Sequence, residues 1–257
     1  MTKQAKIFII ILSIVTVLAV CAGLYIHLGR GGFSYSKELV AETKELNESI
    51  SSLNIDLDAA DISVEYGDRA YVSYNLPKSA VPTIQVQDGT LTVKNHSNNR
   101  FDLSLLSQKG SENSVKIVLP GGTELTDVKV ALDAGNISLN EINGDNFHIN
   151  EDAGNIVLNN LHATNLSLDT DAGNVTLTDG EMDTCKADLD AGNLDLIRVH
   201  IKNVDFDMDA GNVTGNECSL EDGKIDSNLG NIKLNGTIGS VKATTDLGKV
   251  QINGSND

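Results

Sequence analysis

The residues best equipped for chemistry are carboxylates. Asp169 and Asp171, Asp188 and Asp190, and Asp207 and Asp209 form three Asp-x-Asp pairs, and the pairs recur every 19 residues. Side chains two apart on a β-strand share a face, so both members of a pair point the same way. If the copies stack at the usual strand spacing of about 4.8 Å, six hard oxygen donors gather in one patch. Two carboxylates at that distance repel by roughly 0.9 kcal/mol in bulk water. Ca²⁺ favours oxygen donors of this kind, so a structural Ca²⁺ held by these six residues is the metal expectation. The simpler expectation is that the aspartates belong to a turn that the chain makes repeatedly.

Other chemistry is thin. His148, His162 and His200 share no spacing with Asp or Ser that builds a nucleophile–base–acid relay. There is no phosphate loop, no His-Glu-x-x-His and no cysteine pair at metal spacing. Catalytic residues are therefore not expected, and neither is an organic cofactor. A polysaccharide-active enzyme would need two carboxylates facing each other across a cleft. Short, uniform connections between strands leave little room to build one.

The aspartates belong to a longer phrase. Asp133-Ala-Gly-Asn is followed by the same four residues from Asp152, Asp171, Asp190 and Asp209, then by Asn228-Leu-Gly-Asn and Asp246-Leu-Gly-Lys. The steps are 19 residues five times and then 18. A fixed period near 20 marks a repeat architecture. Behind each phrase, apolar residues recur at fixed offsets. Four and six residues on stand Ile137 and Leu139, Ile156 and Leu158, Val175 and Leu177, Leu194 and Leu196, then Ile232 and Leu234. Five and three residues before stand Phe147 and Ile149, Leu166 and Leu168, Cys185 and Ala187, and Val204 and Phe206. Alternation with polar residues is the pattern of half-buried strands. One coil cannot bury its own apolar face, so the coils must stack. Leu189 and Leu194 both point inward but lie five residues apart, so the chain must bend between them. The phrase is thus a corner: Gly supplies backbone freedom, Asp is placed to accept the amide two residues on, and Asn is placed to stack into an amide ladder.

Composition agrees with a solenoid. There is no Trp and there are only five Phe and five Tyr, and stacked Ile, Leu and Val do not need them. The net charge is −17, and residues 127–257 hold 23 acidic against 8 basic side chains, which is −15 of it. Such a surface repels phosphate backbones, so nucleic acid is not an expected partner. Cys185 and Cys218 fall in apolar columns and read as small buried hydrophobes rather than a disulfide.

In chain order, residues 1–6 carry Lys3 and Lys6 and form a cytoplasmic tail. Residues 7–28 are apolar almost throughout, and as a helix they span about 33 Å, enough for a bilayer core. An uncleaved anchor fits this length better than a cleaved signal, whose apolar region is shorter. Leu18-Ala19-Val20-Cys21 resembles a lipobox, but Val20 is too large for the place before the cysteine. The lysines put the N-terminus in the cytoplasm and the rest outside. Residues 29–50 form a juxtamembrane linker. Leu39, Val40, Thr43, Leu46 and Ile50 have helical spacing there, with a stalk or a lead-in to a strand as alternatives. Residues 51–130 read as an irregular β cap that starts the stack, with Asp88-Gly89 turning a hairpin, and residues 131–257 are the regular repeats. Asp58-Ala-Ala-Asp61-Ile-Ser-Val is an eroded copy of the phrase.

Together these residues resemble a family. An N-terminal anchor, Leu53-Asn-Ile-Asp-Leu-Asp-Ala-Ala-Asp-Ile-Ser-Val, then Val115-Lys-Ile-Val-Leu-Pro-Gly-Gly and repeated x-x-Gly-Asn-hydrophobic units are similar to the bacterial putative-adhesin β-strand-repeat proteins, of the membrane-anchored LiaG-like type. The resemblance covers residues 50–257 and carries no catalytic residues. It implies an envelope location and a link to cell-envelope stress or surface interaction. The expectation is therefore an all-β protein: a parallel β-solenoid of about 19-residue coils behind an irregular cap and one transmembrane helix. It would sit in a plasma membrane through residues 7–28 and bind an envelope protein or a cell-wall component. A Ca²⁺-stiffened adhesin is the variant reading.

Overall fold

In the computed structural model, residues 38–95 and 113–255 are described. The apolar run at 7–28, the expected tail at 1–6 and Cys21 lie outside them. Among the described residues, no helix is long and apolar enough to cross a membrane.

The repeat half forms long strands that run through the first three Asp-Ala-Gly-Asn corners and break for two residues at the last four. They are β8 (Leu125–Asn140), β9 (Asn143–Asn159), β10 (His162–Thr178), β11 (Glu181–Ala191), β12 (Leu194–Ile197), β13 (His200–Ala210), β14 (Val213–Leu229), β15 (Ile232–Leu247) and β16 (Val250–Ser255). Every neighbouring pair in this run is parallel, and residues 19 apart face each other until a register shift after Gly215 makes the spacing 18: Leu166 meets Phe147 and then Cys185, and Val175 meets Ile156 and then Leu194. A residue 19 places on finds the same chemistry directly above, which is why the columns fill. The result is a parallel β-solenoid of about seven coils, as the period requires.

The core is a stack of apolar columns. Ile137, Ile156, Val175, Val213 and Ile232 are fully buried, as are Phe147, Phe206 and Leu196. Large side chains lie against small ones: Phe206 pairs in register with Ala187, and the Phe147 ring lies against Gly144. That alternation keeps the interior filled while the period stays fixed. Cys185 and Cys218 are free and buried, as small hydrophobes should be. Burial pushes the Cys185 thiol up to about 12, so it is inert as a nucleophile at neutral pH.

The cap grows in both directions from one founding coil. That coil is β2 (Ser52–Ala59) with β3 (Asp61–Gly67), split by the eroded corner. On one side, β8 covers both, with Leu53 on Val128 and Ile62 on Ile137. On the other side, β6 (Thr90–Asn95) covers β2 and β7 (Ser114–Pro120) covers β3. Antiparallel strands then close the stack: β5 (Thr83–Gln87) on β6, β4 (Tyr71–Pro77) on β7, and β1 (Leu39–Glu45) on β4. A 3-10 turn at Lys78–Ala80 links β4 to β5. Residues 39–45 are therefore a strand, and their helical spacing does not produce a helix. The backbone of β4 offers them a complete antiparallel ladder, and a short isolated helix has no comparable partner.

Candidate functional site

The Asp-Ala-Gly-Asn corner forms from one coil bonding to the next. The amides of Gly192, Gly211 and Gly230 donate to the carbonyls of Ala210, Leu229 and Leu247 one coil on, at 2.8–3.0 Å. These glycine amides are therefore not donated back to the aspartate two residues earlier. The expected Asx turn gives way to backbone bonding between coils that continues through the corner.

The asparagines do form the expected ladder. Each Oδ1 accepts both the backbone amide and the Nδ2 of the asparagine one coil on. Asn193 donates to Asn174 at 3.1 and 2.9 Å, and Asn212 donates to Asn193 at 3.0 and 3.0 Å. Asp61, at the matching place in the eroded copy, is the bottom rung and accepts from Asn136. The Lys249 amide closes the top on Asn231. A shorter series that sequence reasoning missed runs along the next face: Asn159 donates to Asn140, and Asn253 and Asn235 donate to Asn235 and Asn216. Its signal was available, since Asn140, Asn159, Asn216 and Asn235 stand seven residues after the first residue of their phrase.

The six aspartates stand as two outward columns. Asp169, Asp188 and Asp207 pair in register on successive strands, and Asp226 continues the line. Asp171, Asp190 and Asp209 form the parallel column at the corner itself. Burial against the sheet, then the neighbouring carboxylates, hold Asp190 above the usual range: Asp209, Asp171, Asp188 and Asp169 all contribute. Asp207 is raised in the same way, first by burial and next by Asp188. The columns are thus electrostatically coupled, as the spacing predicts. Among the described residues, no group of three or more His, Cys, Asp or Glu side chains is arranged to hold a metal ion. The patch is a ribbon of like charge with no closed cage. Relief comes from its margins: Asn228 donates to Asp209 at 2.5 Å, Thr244 donates to Asp226, and the charge of Lys224, which pairs with Asp205 at 3.1 Å, partly offsets the rise at Asp207.

One consequence is testable. Asp188→Asn removes a charge from the middle of the ribbon but keeps its shape. It should stabilise the fold by about 0.5 kcal/mol at low salt, an advantage that fades in 1 M salt. Chemical denaturation at two salt concentrations measures both; a loss of stability at low salt would mean the carboxylate has a favourable partner.

The remaining surface is regular. A second corner, eight residues after each Asp, holds Glu141, Asn160, Asp179, Arg198 and Glu217 in the left-handed region, with φ between 50° and 59°. Arg198 makes a two-pronged pair with Asp179 there, at 2.6 and 2.8 Å. An open groove of about 430 Å³ runs along the third edge, lined by Glu124, Asp145, His162, Glu181 and Asp183 among others. His162 lies 3.9 Å from Glu181, and His200 lies 3.1 Å from Glu221. Both are imidazole–carboxylate contacts on the surface.

Stacked coils with an asparagine ladder on one corner and an acidic ribbon beside it define a parallel β-solenoid. The family match agrees: residues 50–257 fit the family described as Toastrack DUF4097, and the chain belongs to that family. The fold is shared with a solved structure described as a putative adhesin from Bacteroides fragilis, with a TM-score of 0.57 and 16% identity over 84% of this chain and 97% of that one. A second, described as a putative lipid binding protein from Parabacteroides distasonis, has a TM-score of 0.51 and 16% identity over 84% of this chain and 95% of that one. No curated protein matches.

Proposed function

We propose that the chain is a non-enzymatic binding and scaffolding module displayed outside a bacterial plasma membrane, with residues 7–28 as the anchor and the N-terminus in the cytoplasm. The observation that carries this reading is the uniformity of the stack. From Leu125 to Ser255 the strands are joined by connections of two residues, and no inserted loop builds a walled cleft. Such a surface suits repeated, shallow contacts with another macromolecule. The acidic ribbon keeps it soluble and favours cationic partners over nucleic acid.

The orientation has a direct test. Single cysteines at Thr2 and at Asp145 are introduced into the full chain and treated on intact cells with a membrane-impermeant maleimide. Asp145→Cys should label and Thr2→Cys should not. The three native cysteines give little background, because Cys185 and Cys218 are buried and Cys21 lies in the apolar run. Labelling at position 2 alone, or at neither position until the cells are lysed, would sink the reading.

A further inference from the structure

The last coil breaks three rules that the rest of the array keeps. First, its apolar columns are uncovered. Val250 and Ile252 pair in register with Ile232 and Leu234, and Leu247 with Leu229. Ile232 and Leu234 are fully buried, whereas Val250 and Ile252 are 41% and 42% exposed; Leu247, 49% exposed, stands over the half-buried Leu229 at the corner. Leu247, Val250 and Ile252 are three of the four large exposed apolar side chains among the described residues. Second, the backbone edge is open. β16 pairs only with β15, and β15 beyond Thr237 has a neighbouring strand on one side only, among the described residues. Third, the charge reverses. Residues 232–255 carry Lys233, Lys242 and Lys249 against Asp246, a net of +2 in a chain of −17. The acidic column stops at Asp226, and Thr244 takes the next rung.

From these features we infer that the terminal edge of β15 and β16 is a docking site for an extended protein segment that alternates apolar with acidic residues. Main-chain bonding to an open edge supplies affinity in this mode, and alternate side chains supply selectivity. The apolar residues of the segment would continue the columns of Val250 and Ile252. Its acidic residues would face Lys242 and Lys249. The charge sequence of one column makes that choice specific: Lys186, Asp205, Lys224 and Lys242 stack in register, and Lys224 already pairs with Asp205 below it. Lys242 therefore stands on another lysine, and the complementary next rung is a carboxylate. A second copy presents the same lysines at its own edge, so edge-to-edge pairing would bring like charges together. Lipid hydrocarbon would leave the edge amides and carbonyls without partners. The inference rests on reading the chain as a binding module and names the partner class.

Purified full-length chain is titrated into a fluorescein-labelled nonapeptide of alternating valine and aspartate, and into its valine–lysine counterpart. The acidic peptide should bind and the basic one should not. Lys242→Glu combined with Lys249→Glu should weaken the acidic peptide at least tenfold and gain the basic one, with an unchanged circular dichroism spectrum. Ile252→Asp should abolish binding of the acidic peptide. Failure of the acidic peptide to bind, or equal binding of the two peptides, overturns the inference. So does self-association in sedimentation that Ile252→Asp removes, which would make a second copy the occupant. Lysine-dependent pelleting with phosphatidylglycerol vesicles overturns it in favour of lipid. None of these results depends on the side of the membrane that the labelling experiment reports.

Discussion

Gly192→Ala should lose at least about 3 kcal/mol of stability and split the array into two weakly coupled halves. The added Cβ would sit 1.6 Å from the carbonyl oxygen of Gly173 one coil below, and Gly192 holds φ at +156°. No rotamer change relieves a clash with backbone, so the coils must part at that corner. Parting them also strains the Gly192 amide bond to Ala210 above. Each coil is stabilised only by its neighbours, so a defect at one interface is not compensated elsewhere. Urea denaturation followed by circular dichroism should show a broadened or two-step transition at lower midpoint. Gly121 is the control: a methyl group added there would meet nothing within 4 Å, so Gly121→Ala should be close to neutral. Equal effects of the two substitutions would remove corner-to-corner contact as the explanation.

The second large effect concerns a carboxyl group inside the coil. The residue before each corner points inward, and in successive coils it is Leu132, Glu151, Thr170, Leu189, Met208 and Ser227. Glu151 is 1% exposed, and neither of its oxygens has a hydrogen-bond partner; the hydroxyl of Thr170, directly above, has none either. Burial, and then the charge of Asp152, push the Glu151 carboxyl from 4.5 up to about 7. The unfolded chain releases this proton near pH 4.5, while the folded chain keeps it until about pH 7. The folded state then holds more protons between those values, so its stability falls as pH rises through that window and levels off above it. Glu151→Leu should therefore gain little at about pH 4 and on the order of 2–3 kcal/mol at about pH 8. Leucine already fills the same column at positions 132 and 189. Denaturation of both proteins at several pH values isolates the effect as a difference, since Asp152, Asp190 and Asp207 titrate in both. A difference independent of pH would mean that the carboxyl finds water or a partner.

The repeat was legible because it states its own register. Nineteen residues bring Asn174 over Asn155 and Val175 over Ile156, so columns and ladder followed from counting. The corner's bonding was not legible. Asp and Gly two residues apart suit a local turn, but the carbonyl of the next coil competes for the same amide and wins. The second corner was hidden because Glu141, Asn160, Asp179, Arg198 and Glu217 share a backbone conformation without sharing a residue type. Pairing on both sides imposes that conformation, which their own preferences do not. In the cap, Leu53 pairs with both Leu91 and Val128, and no local pattern announces partners 38 and 75 residues away. The aspartate columns were located correctly from parity alone. Whether carboxylates converge on one point depends on the lateral bend of the strand, and parity does not encode that.

The two-sided cap also sets a clock for folding. The founding coil at residues 52–67 acquires its covers from β6 and β7 on one side and β8 on the other, and β8 ends at Asn140. Until that length of chain exists, the strands that must come together are separated by large loops, which makes their closure slow. Every later coil closes a loop of only 18 or 19 residues onto a finished template. Assembly should thus show one slow initiating event followed by rapid, directional growth from the founding coil towards the lysine-bearing coil.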